Sequence, residues 1–380
     1  MENGKNRIDD QGIYLHSKNY RVEIGEQVLN KERIYLDTKY WIYLRDAVLK
    51  KQPSFRLEIY YLLQYLVDNG IAICPLSYHV FAELMKQPFE KRMATAIIMD
   101  ELSKQVCFIN PSLIQGQEIV NFISQLQIKS KGLEPFNSSK YVWTKIGFIF
   151  GEQFPTFAEL SDNDVKPIRV GFFNYLSQFT LVQMLEKIGD KFLPSKSNDI
   201  EEKLNIGKDT HQNWKTFRDV YRQEIKGILD LLQEEIKEVI LFKLRNQSKY
   251  SMNSDDINLS DDVKKMSWII YQSLDNNTVG KELPSIRISC GLHAYFRYNK
   301  GQRFKKNDLI DFGHAAWALP YCHAFFTERR LAEWVCNSFL QFDRVYETKV
   351  LSDDNKVLEY LHKLQERKQK IEKINFTSDK

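Results

Sequence analysis

The sequence predicts an α/β protein: a parallel sheet flanked by helices and interrupted by a large all-helical insertion. Three observations predict it. Compact apolar runs alternate with helical patterns over the first 110 residues, as expected for strands joined by crossover helices. From Ile114 to Leu283 strand signals vanish and long helical patterns take over. The alternation resumes near Pro284.

Composition sets the bounds. A chain of 380 residues has room for two or three domains, at about 150 residues each. Hydrophobic residues make up 43%, aromatic 13% and charged 27%, which suits a globular chain with a sizeable core rather than a disordered one. A formal charge of +4 is mildly basic and compatible with a nucleic-acid partner. Five scattered cysteines, Cys74, Cys107, Cys290, Cys322 and Cys336, form no CxxC pair, which fits a reducing compartment. The start, MENGKNRIDDQG, carries no apolar signal region, and no run reaches the ~18 apolar residues of a membrane span. A cytoplasmic protein without membrane contact is the expectation.

In chain order, residues 1–30 are polar, with Tyr20–Ile24 a candidate short edge strand. Arg33–Leu36 (RIYL) is a compact apolar strand ending at Asp37. Helical spacing of Tyr40, Tyr43, Leu44 and Val48 follows, Pro53 breaks it, and a second helix runs from Ser54 to Asp68 until Asn69-Gly70 stops it. Ile71–Cys74 is the next strand, and Ser77 can cap a helix holding Val80, Phe81, Glu83 and Leu84. A helix from about Glu90 to Lys104 leads to strand Val106–Ile109. In the insertion, Ile168–Leu193 and Trp214–Phe242 each read as one long amphipathic helix, separated by polar loops at Ser195–Asn198 and Asn253–Asp262. The stretch Asn307–Leu331 reads as helix, tight connection, strand His323–Thr327 and polar turn. A helix from about Leu331, a strand near Arg344–Val350 and a charged helix Asn355–Lys373 close the chain.

Acids recur at matching places in this plan. Asp37 follows the first strand and Glu83 lies in the helix after the second. Asp308 and Asp311 open a late helix, and Glu328 follows the next strand. Asp308 and Asp311 are three apart, hence on one helix face; each could equally be an ordinary first-turn residue favoured by the helix dipole. A parallel sheet brings all five towards one edge, beyond the carboxyl ends of its strands. Such a cluster cannot ionise fully without a cation. Oxygen donors without His or Cys at metal spacing suit Mg²⁺ or Mn²⁺, ions that activate water and stabilise a leaving oxygen in phosphodiester hydrolysis.

These residues resemble the motifs of a PIN-domain nuclease. The matching segments are IYLDT (Ile34–Thr38), SYHVFAEL (Ser77–Leu84), DLIDFGHAA (Asp308–Ala316) and FFTER (Phe325–Arg329). Asp37, Glu83 and Asp311 match directly. Glu328 stands where the family usually has Asp, and Asp308 is an additional acid. The resemblance implies a PIN-like domain at 1–113 and 284–350, a helical insertion at 114–283, and a C-terminal helix and tail at 351–380. It implies a divalent-metal-dependent endonuclease that leaves a 3′ hydroxyl and a 5′ phosphate, with RNA favoured over DNA, and a toxin-like or phage-defence effector role. It also implies an inhibitory or activating protein partner. The insertion's long helices could support a homodimer. A PIN-like scaffold that binds nucleic acid or protein without cutting is the alternative that Glu328 keeps open.

Basic residues flank the acids. Lys300, Arg303, Lys305 and Lys306 lead into the late helix, and Arg329 and Arg330 follow Glu328; together they would place positive charge for a phosphate backbone, or form a solvated surface loop. Tyr295, Phe296 and Tyr298 could stack on bases, but such residues are more often core. His314, one helical turn after Asp311, could touch phosphate or serve a structural role, and the same holds for His79 and His323. A zinc site at Cys322 matches no standard spacing.

Overall fold

The computed structural model describes residues 6–129, 138–157, 160–191, 199–210, 214–247, 259–276 and 282–378. The chain opens with α1 (Asn6–Leu29), β1 (Glu32–Leu36), α2 (Thr38–Lys50), α3 (Phe55–Asp68), β2 (Ala72–Ile73), α4 (Tyr78–Leu84), α5 (Phe89–Ser103) and β3 (Val106–Phe108). The middle carries α6 (Pro111–Lys129), β4 (Trp143–Lys145), α7 (Asp162–Ser177), α8 (Leu181–Ile188), α9 (Ile200–Thr210), α10 (Phe217–Leu231), α11 (Gln233–Gln247) and α12 (Ser260–Asp275). Then follow α13 (Pro284–Tyr298), α14 (Asp308–Tyr321), β5 (Ala324–Phe326), α15 (Arg329–Val335), α16 (Phe342–Val345), β6 (Lys349–Leu351) and α17 (Asp354–Ser378).

The parallel sheet is present, in the order β2-β1-β5-β6. Its two central strands are buried on both faces, as parallel strands under helices must be: Ile34, Tyr35 and Leu36 register against Ala324, Phe325 and Phe326, and none of the six is exposed. Pro53 and Ser54 divide α2 from α3, with the Ser54 hydroxyl capping α3. Ser77 caps α4 in the same way. β3 stands alongside this sheet through a single parallel bridge, Leu76 to Cys107.

Several expectations are corrected. Tyr20–Ile24 is helix, part of α1, because Ile13, Ser17, Ile24 and Val28 are buried at helical spacing. Gly25 lets α1 lie against the backbone of Lys140, whose carbonyl oxygen would stand 2.1 Å from an added Cβ. The 114–283 segment is not wholly helical. Trp143–Lys145 pairs antiparallel with β3, and Trp143 stacks on Phe108 at 4.4 Å between ring centroids. Ile168–Leu193 is broken into α7 and α8 by a capping box at Thr180 and Gln183. Trp214–Phe242 is broken at Leu232, where α10 ends and α11 begins; Ile225, Leu229, Leu232, Ile236 and Val239 stay buried across the break, so the periodicity reads through it. Ser260–Asp262, read as loop, opens α12. Arg344 lies in α16, and the last strand begins only at Lys349. The expected loop Ser195–Asn198 and residues 253–258 of the next lie outside the described residues.

Among the described residues two large apolar cores result, with a small third made of Ile13, Phe148 and Phe173. The larger surrounds the sheet and takes in Val142, Trp143, Ile146, Leu181 and Leu185 from the middle segment. The second joins α10, α11 and α12 to α6 and the start of α13. Among the described residues no helix is long and apolar enough to cross a membrane.

Candidate active site

β1 and β5 end side by side, and this pairing builds the site. The Asp37 amide continues the ladder by donating to the Phe326 carbonyl at 3.1 Å, which draws Thr327 and Glu328 alongside. Asp37 is buried, 5% exposed, and caps α2. Its Oδ1 accepts from the Tyr40 amide at 3.0 Å, and its Oδ2 accepts from the Thr327 hydroxyl at 2.6 Å and the Glu328 amide at 3.0 Å. Burial still raises its pKa, against the pull of these donors.

Glu83 enters from α4. Its Oε2 stands 3.0 Å from Nε2 of His314 on α14. The other ring nitrogen of His314 is 2.7 Å from the Tyr35 hydroxyl, which is itself 2.6 Å from the Ser77 hydroxyl. His314 is thus engaged at both nitrogens and is 1% exposed. Burial pushes Glu83 up, but the His314 ring outweighs it and leaves the carboxyl below its ordinary range. His314 therefore orients Glu83 and is closed to phosphate, correcting the substrate-contact expectation. His79 is likewise structural: its Nδ1 accepts from the Trp317 indole N–H at 2.9 Å, and burial drives its pKa down to about 3. Gly313 makes room for it, since a Cβ there would lie 2.2 Å from His79 Nε2.

Asp311 faces these groups from the first turn of α14. Its pKa is pushed up to about 7, first by burial and then by the like charges of Glu328, Glu83 and Asp37, with His314 opposing. Among the described residues no hydrogen-bond donor meets its carboxylate. Glu328, at the start of α15, receives the Lys39 ammonium at 2.8 Å. Four of the five expected acids thus share one neighbourhood at the carboxyl edge of the central strands.

Asp308 does not join them. It is 1% exposed, accepts from the Lys305 amide at 2.8 Å and pairs with Arg330 at 3.1 Å. It closes the turn before α14 and ties α15 to it. The basic residues separate in the same way. Arg303 pairs with Asp209, Arg329 with Glu333, and Arg330 lies over the Trp334 ring at 4.2 Å. Lys300, Lys305 and Lys306 are exposed. α9 holds their loop in place: Asn205 bonds both the amide and the carbonyl of Phe304, and the buried Lys208 ammonium donates to the carbonyls of Phe296 and Asn299. Phe296 is core, with no exposure, and Tyr298 packs on Phe217 and Phe339. His323 serves Arg33, accepting from its amide at 3.0 Å, away from the acids.

Three further contributors carry no site signal in the sequence. Tyr35 looked like one more apolar strand residue, Thr327 like the end of a strand, and Ser77 like a cap alone. The donor set is carboxylate oxygen, the chemistry of a hard divalent cation, and Asp311 is a carboxylate without a donor among the described residues, opposed by three like charges. In that sense the residues fit Mg²⁺ or Mn²⁺. Among the described residues, no three His, Cys, Asp or Glu side chains already stand as a formed metal-ligand group, so an ion would have to draw Asp37, Glu83 and Asp311 closer together. No protein-family model, curated protein or solved structure matches the chain; the functional reading rests on this geometry.

Proposed function

We propose that the protein is a divalent-metal-dependent nuclease with a PIN-like core, acting on RNA in preference to DNA. The observation that carries the reading is Asp311: a half-buried carboxylate without a donor among the described residues, set among Asp37, Glu83 and Glu328. Gathering four acids in one partly buried site is costly unless a cation is to be held there.

Asp37, Glu83 and Asp311 would hold the ion, with Glu328 beside them. When bound, it supplies a Lewis acid for a phosphodiester oxygen and lowers the pKa of water. The chain's own contribution is preorganisation. Three hydrogen bonds fix the Asp37 carboxylate, and the Ser77–Tyr35–His314 chain fixes Glu83. The exposed Lys300, Lys305 and Lys306, held on the α9-supported loop, offer charge to a phosphate backbone.

The test is cleavage of labelled RNA and single-stranded DNA with Mn²⁺ or with EDTA, comparing wild type with the Asp37→Asn, Asp311→Asn double variant. Metal-dependent cutting that the double variant loses supports the nuclease and identifies the polymer. A second reading, a non-cutting scaffold, draws on the pairing of Glu83 with His314 and Glu328 with Lys39. Mn²⁺-loaded protein that binds RNA without cutting it would favour that reading.

A further inference from the structure

Lys39 is in an unusual place for a lysine. It is the second residue of α2, where the positive end of the helix dipole disfavours a cation and favours an acid; the first turn of α2 contains no acid. What holds it is Glu328, which arrives from the far side of the β1–β5 pair and accepts from the ammonium at 2.8 Å. The pair sits at the mouth of the acid cluster, with side chains 46% and 32% exposed, and the Glu328 amide donates to Asp37. Of the four clustered carboxylates, then, Glu328 faces a lysine, Glu83 a histidine, and Asp37 three hydrogen-bond donors. Asp311 alone lacks a partner among the described residues.

From this we infer that Lys39 is a resident cation that takes the place of a second metal ion, so that the site loads a single divalent ion, on the Asp311 side. This rests on the metal-dependent reading above and deepens it. A second ion would need Glu328, and Glu328 is available only if the lysine leaves. The lysine also gives the site a fixed positive charge beside Asp37, within reach of an anionic substrate.

The test is to count ions. Mn²⁺ is titrated into the full chain at pH 8 and followed by calorimetry and by the electron paramagnetic resonance of free Mn²⁺. Wild type binds one ion per chain. Lys39→Met gains a second, bound at least tenfold more tightly than any second ion in wild type; Lys39→Gln serves if the methionine variant does not fold. Lys39→Arg keeps the single ion. Adding Glu328→Gln to Lys39→Met returns the count to one, which ties the second ion to Glu328. Two ions of similar affinity in wild type, or an unchanged count in Lys39→Met, would overturn the inference and leave the metal-dependent reading standing. No Mn²⁺ binding by wild type would overturn both.

Discussion

The two ends of α14 each hold a carboxyl that burial pushes up to about 7, yet they are built in opposite ways. At the far end Glu118, reaching in from α6, meets only donors. The Tyr321 hydroxyl donates to it at 2.7 Å, the Ser285 hydroxyl at 2.6 Å and the Ser285 amide at 3.1 Å. It thereby ties α6 to α13 and α14, where the helical core meets the sheet core. At the near end Asp311 meets no donor among the described residues and faces three other acids. The same burial therefore carries two meanings. Glu118 is finished as it stands, a structural acid satisfied by its neighbours, whereas Asp311 has no such donors among the described residues, which is the gap the proposed cation would fill.

Truncating the two separates them most sharply. Glu118→Ala orphans the Tyr321 hydroxyl and the Ser285 amide and opens a cavity, at a cost of about 3 kcal/mol, read by urea unfolding at pH 7. Asp311→Ala orphans nothing and costs less than about 1 kcal/mol. Equal losses would break the comparison.

The sign of the pH dependence sharpens it further. Asp311 is raised in the folded state, so its contribution is fully present below the ordinary carboxyl range and is lost as pH rises towards 7. Without metal at pH 8 the folded protein carries an opposed charge there. Asp311→Asn in EDTA is expected to be more stable than wild type, on the order of 2 kcal/mol at pH 8, the gain shrinking as pH falls from 7 towards 4. A gain that does not change with pH would mean that the like charges are not its cause.

The smallest expected effect is at Tyr35. Tyr35→Phe removes one buried hydroxyl, at about 1 kcal/mol, and frees His314 to turn. Glu83 is then held less firmly, and RNA cleavage falls about tenfold while Mn²⁺ affinity drops only slightly. Loss of stability with unchanged cleavage would make the Ser77–Tyr35–His314 chain purely structural.

Much of this arrangement is legible in the sequence, and the limits have physical causes. Asp37 and Asp311 were readable because strand ends and helix starts leave local signals, an apolar run stopping at an acid and an acid opening a periodic stretch. The division between Asp308 and Asp311 was not. Both lie on one helix face, and what separates them is Arg330, which reaches Asp308 only in the folded chain. The Lys39–Glu328 pair spans 289 positions, beyond any local pattern. α1 was obscure because its buried side is sparse and includes a serine, and the α10–α11 break was hidden because the apolar spacing continues through Leu232. β4 was missed because three residues in a helical region are too few to show a period.

The central claim is that Asp311 and its neighbours await a divalent ion. Its most direct test is the thermal unfolding of wild type and Asp311→Asn with Mn²⁺ or EDTA, at pH 8 and pH 5. At about a hundredfold excess over Kd the ion should raise the wild-type midpoint at pH 8 by about 5 °C. The shift should shrink at pH 5, where the carboxyl must first lose a proton, and vanish in Asp311→Asn. An equal shift in both proteins, or no shift in wild type at pH 8, would contradict it.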